Sequence, residues 1–416
     1  MKRNKILAAI LLMMAMTVGF SLTACGGDDA GETPTKKPNT EQNDNQKEDN
    51  TDDNAQPTTP TTPTTPTAKQ VGGDISLLAK YEQNGAQFKD QNGVAIDDVL
   101  TFLKNQGLNS MRVRLFVNPA NASEEHRGEG VIQDLDYVKA LGKRIKAAGM
   151  TFLLDFHYSD TWADPVKQWT PKEWQGLSDA ELYARIYTYT KDALQQLKAA
   201  GAEPDFIQTG NEISYGMMWG AESSTALQKA TDAAGWKRFI ALLEQAAKAC
   251  REVCPNAKTI IHTELVRNQG LMSDFYNNVK DVDYDIIGLS YYPYYHGLLP
   301  ALETALNTLQ NEQPTKEVMI VETGYYHKWQ PDNVSYDYSS IYAITDKGQQ
   351  AFTKELVSRL NKHTNVVGLY WWWLEANEYG LDWGTQRVTK DWYNASLFDN
   401  ETGRALPALG ELQNFK

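Results

Sequence analysis

Eight short apolar runs separated by amphipathic helical stretches predict an α/β fold, a (β/α)8 TIM barrel, for residues 71–416. The runs lie at 75–79, 111–117, 151–156, 206–209, 259–263, 286–291, 318–321 and 366–372. They are almost continuously apolar, as strands buried on both faces of a parallel sheet are. Between them, residues 135–148, 181–199 and 236–253 repeat apolar side chains at helical spacing. Gly107, Gly149 and Gly201 each stand where a helix would end before the next strand. No glycine-rich fingerprint joins a first strand to a helix, so an open nucleotide-binding sheet has no support.

The first seventy residues do not read as part of that fold. Lys2, Arg3 and Lys5 precede a mostly apolar run, 6–20, that is too short to span a bilayer comfortably. Leu22-Thr-Ala-Cys25 follows, with small residues set immediately before a cysteine. That string looks like a bacterial lipobox, so 1–24 is expected to be a lipoprotein signal peptide and Cys25 the lipidated first residue of the mature chain. An ordinary secretory signal with an incidental Cys25 is the plainer alternative. Residues 25–70 are rich in Asp, Asn, Thr and Pro and carry a three-residue repeat from Pro57 to Pro66. With almost nothing apolar to bury, they are expected to form a disordered linker. The expected location is the bacterial outer membrane, at the cell surface.

The formal charge of −13 becomes −16 once residues 1–24, with three positive residues and no acids, are removed. That sign argues against nucleic acid as a partner. Aromatic residues make up 11% of the chain and include 11 tryptophans, more than a core alone needs and suited to stacking on sugars. Besides Cys25, the cysteines are Cys250 and Cys254, one helical turn apart with no cluster of further ligands nearby. The spacing fits two small residues at a helix end, or a local disulfide, better than a metal site.

Function is written at the strand ends. Phe206-Ile-Gln-Thr-Gly-Asn-Glu212 and Val318-Met-Ile-Val-Glu-Thr-Gly324 each set a glutamate just past a buried strand. In a barrel that end is the catalytic mouth, and two carboxyl groups from different strands are what glycoside hydrolysis requires. Arg112 and Arg114 share one side of the second strand, and Asp155 and His157 one side of the third, because side chains alternate. Asn211, Tyr291, Tyr292 and the Trp371-Trp372-Trp373 triplet complete the rim. Each has a plainer reading alone: Arg112 a counter-charge, His157 a structural histidine, the tryptophans core. Together they indicate a site.

These residues carry a resemblance. Asn109-Ser-Met-Arg112, Leu154-Asp-Phe-His157, Asn211-Glu212 and Glu322 resemble the clan of retaining glycosidases with (β/α)8 barrels. Arg112-Val-Arg-Leu-Phe-Val-Asn-Pro119, Asp155-Phe-His-Tyr-Ser-Asp-Thr-Trp-Ala-Asp-Pro165, Gln208-Thr-Gly-Asn-Glu-Ile213 and Trp392-Tyr-Asn-Ala-Ser-Leu-Phe-Asp399 narrow it to the arabinogalactan endo-β-1,4-galactanases, glycoside hydrolase family 53. The resemblance implies Glu212 as acid/base and Glu322 as nucleophile, their carboxyl groups about 5–5.5 Å apart. It implies Arg112, Arg114, His157, Asn211 and Tyr292 in support, and Asp155, Trp162, Asp164 and Trp372 as sugar contacts. A β-mannanase or β-glucanase of the same clan, and a non-catalytic surface glycan-binding lipoprotein, stay open as alternatives. Where many members read Tyr-Trp-Glu-Pro, this chain has Trp371-Trp372-Trp373-Leu374, so a remodelled rim is expected. The run Tyr325–Asp332 lacks the closely spaced acids of a calcium loop. No cofactor or metal is expected, the partner is β-1,4-galactan, and the chain is expected to be a monomer.

Overall fold

The computed structural model describes residues 67–331, 334–389 and 394–416. The signal peptide, Cys25 and the Pro/Thr-rich repeat, like Trp392 and Tyr393 of the last quoted motif, lie outside the described residues. Eight parallel strands close on themselves: β1 (Gln70–Asp74), β2 (Ser110–Leu115), β3 (Thr151–Phe156), β4 (Phe206–Thr209), β5 (Lys258–Thr263), β6 (Ile286–Tyr291), β7 (Glu317–Thr323) and β8 (Val366–Trp371). Each pairs with its sequence neighbour, and β8 pairs with β1, Val71 lying opposite Leu369. The helices described are α1 (Leu78–Asn84), α2 (Val99–Asn105), α3 (Glu124–Gly128), α4 (Leu135–Ala147), α5 (Asp179–Ala199), α6 (Ala233–Val253), α7 (Gln269–Asn278), α8 (Pro293–His296), α9 (Leu299–Glu312), α10 (Asp346–Leu360) and α11 (Pro407–Leu412). The expected (β/α)8 barrel is the fold observed.

The first strand is not where the apolar pattern put it. Residues 75–79 form the turn into α1 and its start, with Leu77 and Leu78 buried, while the strand is Gln70-Val-Gly-Gly-Asp74. Its glycines explain the misreading. A Cβ on Gly72 would sit 1.6 Å from the Ser110 carbonyl oxygen, so that position cannot carry a side chain and the strand is left with Val71 as its one branched residue.

Two apolar clusters hold most of the buried apolar side chains among the described residues. The larger lies between barrel and helices, where α4, α5 and α6 turn residues such as Leu141, Leu194 and Leu243 onto the strands. The smaller, Leu153, Phe206, Ile260, Ile286, Met319, Val321, Val367 and Tyr370, is a separate cluster. Asp155, Gln208, His262 and Ser290 stand two or four residues beyond four of its members, hence on the same face of their strands. Apolar side chains therefore plug the barrel and a polar layer rests above them, toward the C-terminal ends. Burying each large aliphatic side chain of the plug contributes about 1.5–3 kcal/mol.

One irregularity aims a key residue. Leu289 pairs with Ile320 but Ser290 pairs with Glu322, so β7 carries one extra residue, Val321. Simple alternation from Met319 and Val321 would turn Glu322 outward. The bulge turns it back in line with Ser290, into the barrel mouth.

Candidate active site

Arg112 organises the polar layer. Its Nη1 donates to Asp74 Oδ2 at 2.9 Å, and its Nη2 meets Asp155 Oδ2 at 2.7 Å, Asn211 Oδ1 at 2.9 Å and Glu322 Oε1 at 3.0 Å. The Arg112, Asp74 and Asp155 side chains are wholly buried. Burial works against the charge on Arg112, but Asp155, Glu322 and Asp74 outweigh it and hold the guanidinium above its usual range. Tyr292 donates its hydroxyl to the other oxygen of Glu322, Oε2, at 3.0 Å. Burial pushes Glu322 up to about 7, with Arg112 the largest opposing influence.

Glu212 sits on a strained turn. Gly210 has φ +112° and Glu212 itself φ +46°, a left-handed conformation that costs a non-glycine residue about 1–3 kcal/mol and persists only when its surroundings enforce it. Here they do. The Glu212 N–H donates to His262 Nδ1 at 3.3 Å and Ile213 N–H to the His262 carbonyl at 3.0 Å. Gln168 Nε2 donates to the Asn211 carbonyl at 2.7 Å. His262 Nδ1 thus accepts, so its Nε2–H donates to Ser290 Oγ at 2.9 Å, and the Ser290 hydroxyl in turn serves the Glu212 carboxyl. Burial raises the proton affinity of Glu212 strongly, and the charges of Glu322 and Glu264 raise it further. The two glutamates are therefore unlike: Glu322 faces a guanidinium and a phenol, whereas Glu212 faces acids and keeps its proton.

The rim is aromatic and holds a second arginine. The Arg114 guanidinium, wholly buried, lies 4.8 Å from the Trp162 ring, 4.7 Å from Trp372 and 5.3 Å from Trp373, with Asp74 Oδ1 at 3.8 Å. Trp372 and Trp373 stack on each other at 5.7 Å. Strand alternation would have separated them, but β8 ends at Trp371 and Trp373 adopts φ +47°, bringing both rings to one side. His157 fixes the neighbouring loop: it accepts from the Ala163 N–H through Nδ1 at 3.1 Å, and its Nε2 lies 3.1 Å from Asp155 Oδ2. Asn211 Nδ2 closes the link by donating to the Ala163 carbonyl at 2.8 Å.

The structure thus brings Glu212, Glu322, Arg112, Arg114, His157, Asn211, Tyr292, Trp162 and Trp372 to one mouth. Two of the expected sugar contacts already have partners within the protein. Asp155 is wholly buried and engaged with Arg112, His157 and Gln208, so it supports the site from below. The Asp164 carboxylate is occupied by its own turn, accepting from Val166 N–H at 2.9 Å and Lys167 N–H at 3.0 Å, with Lys167 Nζ at 3.2 Å. Tyr291 turns away and donates to the Gly297 carbonyl.

Asp74, Gln208, His262, Glu264 and Ser290 belong to the site and were missed. The rule that found Asp155 and His157 on β3 would have found His262 and Glu264, which continue the inward series from Ile260. After β7, His327 is bonded to Asp346, and Lys328 ion-pairs with Asp399 and Glu401 at 2.9 and 3.0 Å. An ammonium among those acids does not fit a calcium ion. Among the described residues no group of three His, Cys, Asp or Glu side chains is arranged to hold a metal. Cys250 and Cys254 are buried free thiols.

The model of glycosyl hydrolase family 53 matches residues 70–412. The chain belongs to glycosyl hydrolase family 53. This family 53 chain is 29% identical over 379 residues to the endo-beta-1,4-galactanase of Bacillus subtilis (strain 168), covering 82% of this chain and 85% of that protein. It is 31% identical over 361 residues to the arabinogalactan endo-beta-1,4-galactanase of Thermothelomyces thermophilus, covering 82% and 98%. Its fold matches the Ignisphaera aggregans GH53 catalytic domain with a TM-score of 0.71 at 32% identity, over 85% of this chain and 98% of that one. Glu212 and Glu322 both lie within the matched segment.

Proposed function

We propose that this family 53 hydrolase is an endo-β-1,4-galactanase that cleaves internal bonds of galactan or arabinogalactan with retention. A carboxylate Oε of Glu322 attacks the anomeric carbon while the bond from that carbon to O4 of the next galactose breaks. Glu212 gives its proton to the departing O4. Water then attacks the glycosyl-enzyme, Glu212 takes the proton back and Glu322 leaves. In this reading Asn211, which bonds Arg112 and the Ala163 carbonyl, meets the sugar 2-hydroxyl beside the reacting carbon. The observation that carries this reading is the asymmetry of two carboxyl groups at one barrel mouth. One is paired with Arg112 and Tyr292; the other is hydrogen-bonded by Ser290 and surrounded by negative charge.

Incubation with potato galactan, mannan and β-glucan, followed by reducing-end analysis, tests the substrate. Mixed galacto-oligosaccharides early in the reaction are expected; preferred cleavage of mannan or glucan refutes the galactan assignment. Glu322→Ala is expected to abolish turnover of polymer and of activated aryl galactosides alike, and substantial residual turnover removes Glu322 from the nucleophile role.

We further infer from the basic start, the apolar run and Leu22-Thr-Ala-Cys25 that the enzyme is exported and anchored by a lipid on Cys25 at the outer membrane surface, working as a monomer. Metabolic labelling with palmitate, expected in the wild type and lost in Cys25→Ser, tests the anchor. Protease accessibility on intact cells tests the membrane face, and light scattering of the delipidated protein tests the oligomeric state.

A further inference from the structure

We propose that Glu264 is a positioning residue for Glu212, clamping the strained turn that presents it and setting a second ionisable acid beside it. The inference deepens the glycosidase reading and rests on it. Glu264 follows β5 directly. Ile260 lies in the barrel plug and His262 in the polar layer, so Glu264, two residues on, continues the same inward series at the mouth.

The turn carrying Glu212 is stitched to β5 at three successive points. Glu212 N–H reaches the His262 ring at 3.3 Å, Ile213 N–H reaches the His262 carbonyl at 3.0 Å, and the Ser214 hydroxyl donates to Glu264. The third stitch alone ends on an ionisable acid. A left-handed glutamate needs such restraint, and a charge-assisted bond is the stronger kind. Among the described residues Glu264 makes no ion pair, and most of its surface is buried. An acid placed without a counter-charge beside another acid costs stability, which is reasonable where the repulsion is used.

The surroundings leave Glu264 free to act on Glu212. Arg112, from β2, is engaged with Asp74, Asp155 and Glu322. His262 is held neutral, its proton affinity pulled well down by burial and Arg112. Asp164, from the loop after β3, adds negative charge to both Glu212 and Glu264, and Glu322, from β7, adds it to Glu212. Ser290, from β6, opposes them with a hydrogen bond to Glu212. Burial lifts Glu264 itself to about 7, so above neutrality it is ionised and makes Glu212 hold its proton to higher pH.

Two variants of the full enzyme separate clamp from charge. Glu264→Gln keeps an oxygen for Ser214 but removes the charge. The alkaline limb of its kcat/KM profile on galactotetraose is expected about one pH unit lower, the scale on which a like charge moves a carboxyl, with the acid limb unmoved and Glu264→Asp restoring much of the shift. Ser214→Ala keeps the charge and loses the clamp; kcat is expected to fall about tenfold, the size of one charge-assisted hydrogen bond, with the limb in place. An unmoved alkaline limb in Glu264→Gln overturns the proposal. So does a rise in KM with an unchanged pH profile, which would make Glu264 a sugar contact instead. Carboxyl NMR titration of Glu212 in Glu264→Gln reads the same shift without substrate, so the inference is judged even if galactan is not the substrate.

Discussion

Replacing Tyr292 by Phe removes one hydroxyl and leaves the ring packing against Tyr294 and Tyr295 in place. That hydroxyl donates to Glu322 Oε2 at 3.0 Å, while Arg112 Nη2 holds Oε1 at 3.0 Å. A hydrogen bond to an ionised group contributes about 1.5–3 kcal/mol. At 1.36 kcal/mol per factor of ten, its loss predicts a fall in kcat/KM of about 10- to 150-fold. The sign of the pH effect follows from the same bond. Glu322 reacts only as the carboxylate, and burial pushes it up to about 7, so activity is lost as pH falls through that range. The Tyr292 hydroxyl favours the ionised form, so Tyr292→Phe moves that acid limb upward and leaves the alkaline limb, set by Glu212, where it was. Stopped assays with an aryl β-galactobioside between pH 5 and 9 measure both limbs. A variant with near wild-type kcat/KM and an unmoved acid limb would refute Glu322 as the group that must be ionised.

Other perturbations probe the layers around that pair. Arg112→Met strips the counter-charge from Asp74, Asp155 and Glu322 together, so a stability loss of about 3–5 kcal/mol is expected in denaturant titration; an unchanged midpoint would show those carboxyls already protonated. Trp162→Ala removes an aromatic face and uncovers Arg114, and KM for galactan is expected to rise about 2- to 10-fold, the range of one aromatic contact; an unchanged KM takes Trp162 out of sugar binding. Burial pushes the Cys254 thiol up to about 12 and Cys250 beyond it, so in a Cys25→Ser protein neither reacts with a thiol reagent until the chain unfolds. Rapid labelling of the native protein would contradict that.

How legible the molecule was depended on whether a residue's neighbours in the chain report its environment. Strands β3, β4 and β6 were readable to the residue, because near-continuous apolar runs bounded by turns leave little else they can be. β1 was not, because closing the barrel beside Ser110 demands glycine and glycine carries no pattern. Both glutamates were found as acids at the end of an apolar run, although Glu322 lies within β7, one residue before its end. Asp74 was lost with β1, whereas His262 and Glu264 were legible by the same alternation that marks Asp155 and His157, counted on from Ile260.

The sequence by itself determined the eight-unit order and the inventory of acids, arginines and tryptophans at the strand ends, since each follows from composition and spacing along one segment; the family came from the likeness of whole motifs. Tertiary structure decided which way they face. Glu322 points into the mouth because a bulge in β7 adds one residue against β6, and Glu212 because hydrogen bonds from β5 hold it in a left-handed turn. Arg112 finds its four partners on β1, β3 and β7 and on the turn after β4. Contacts between strands so far apart in the chain arise only when the barrel closes, so no local pattern encodes them.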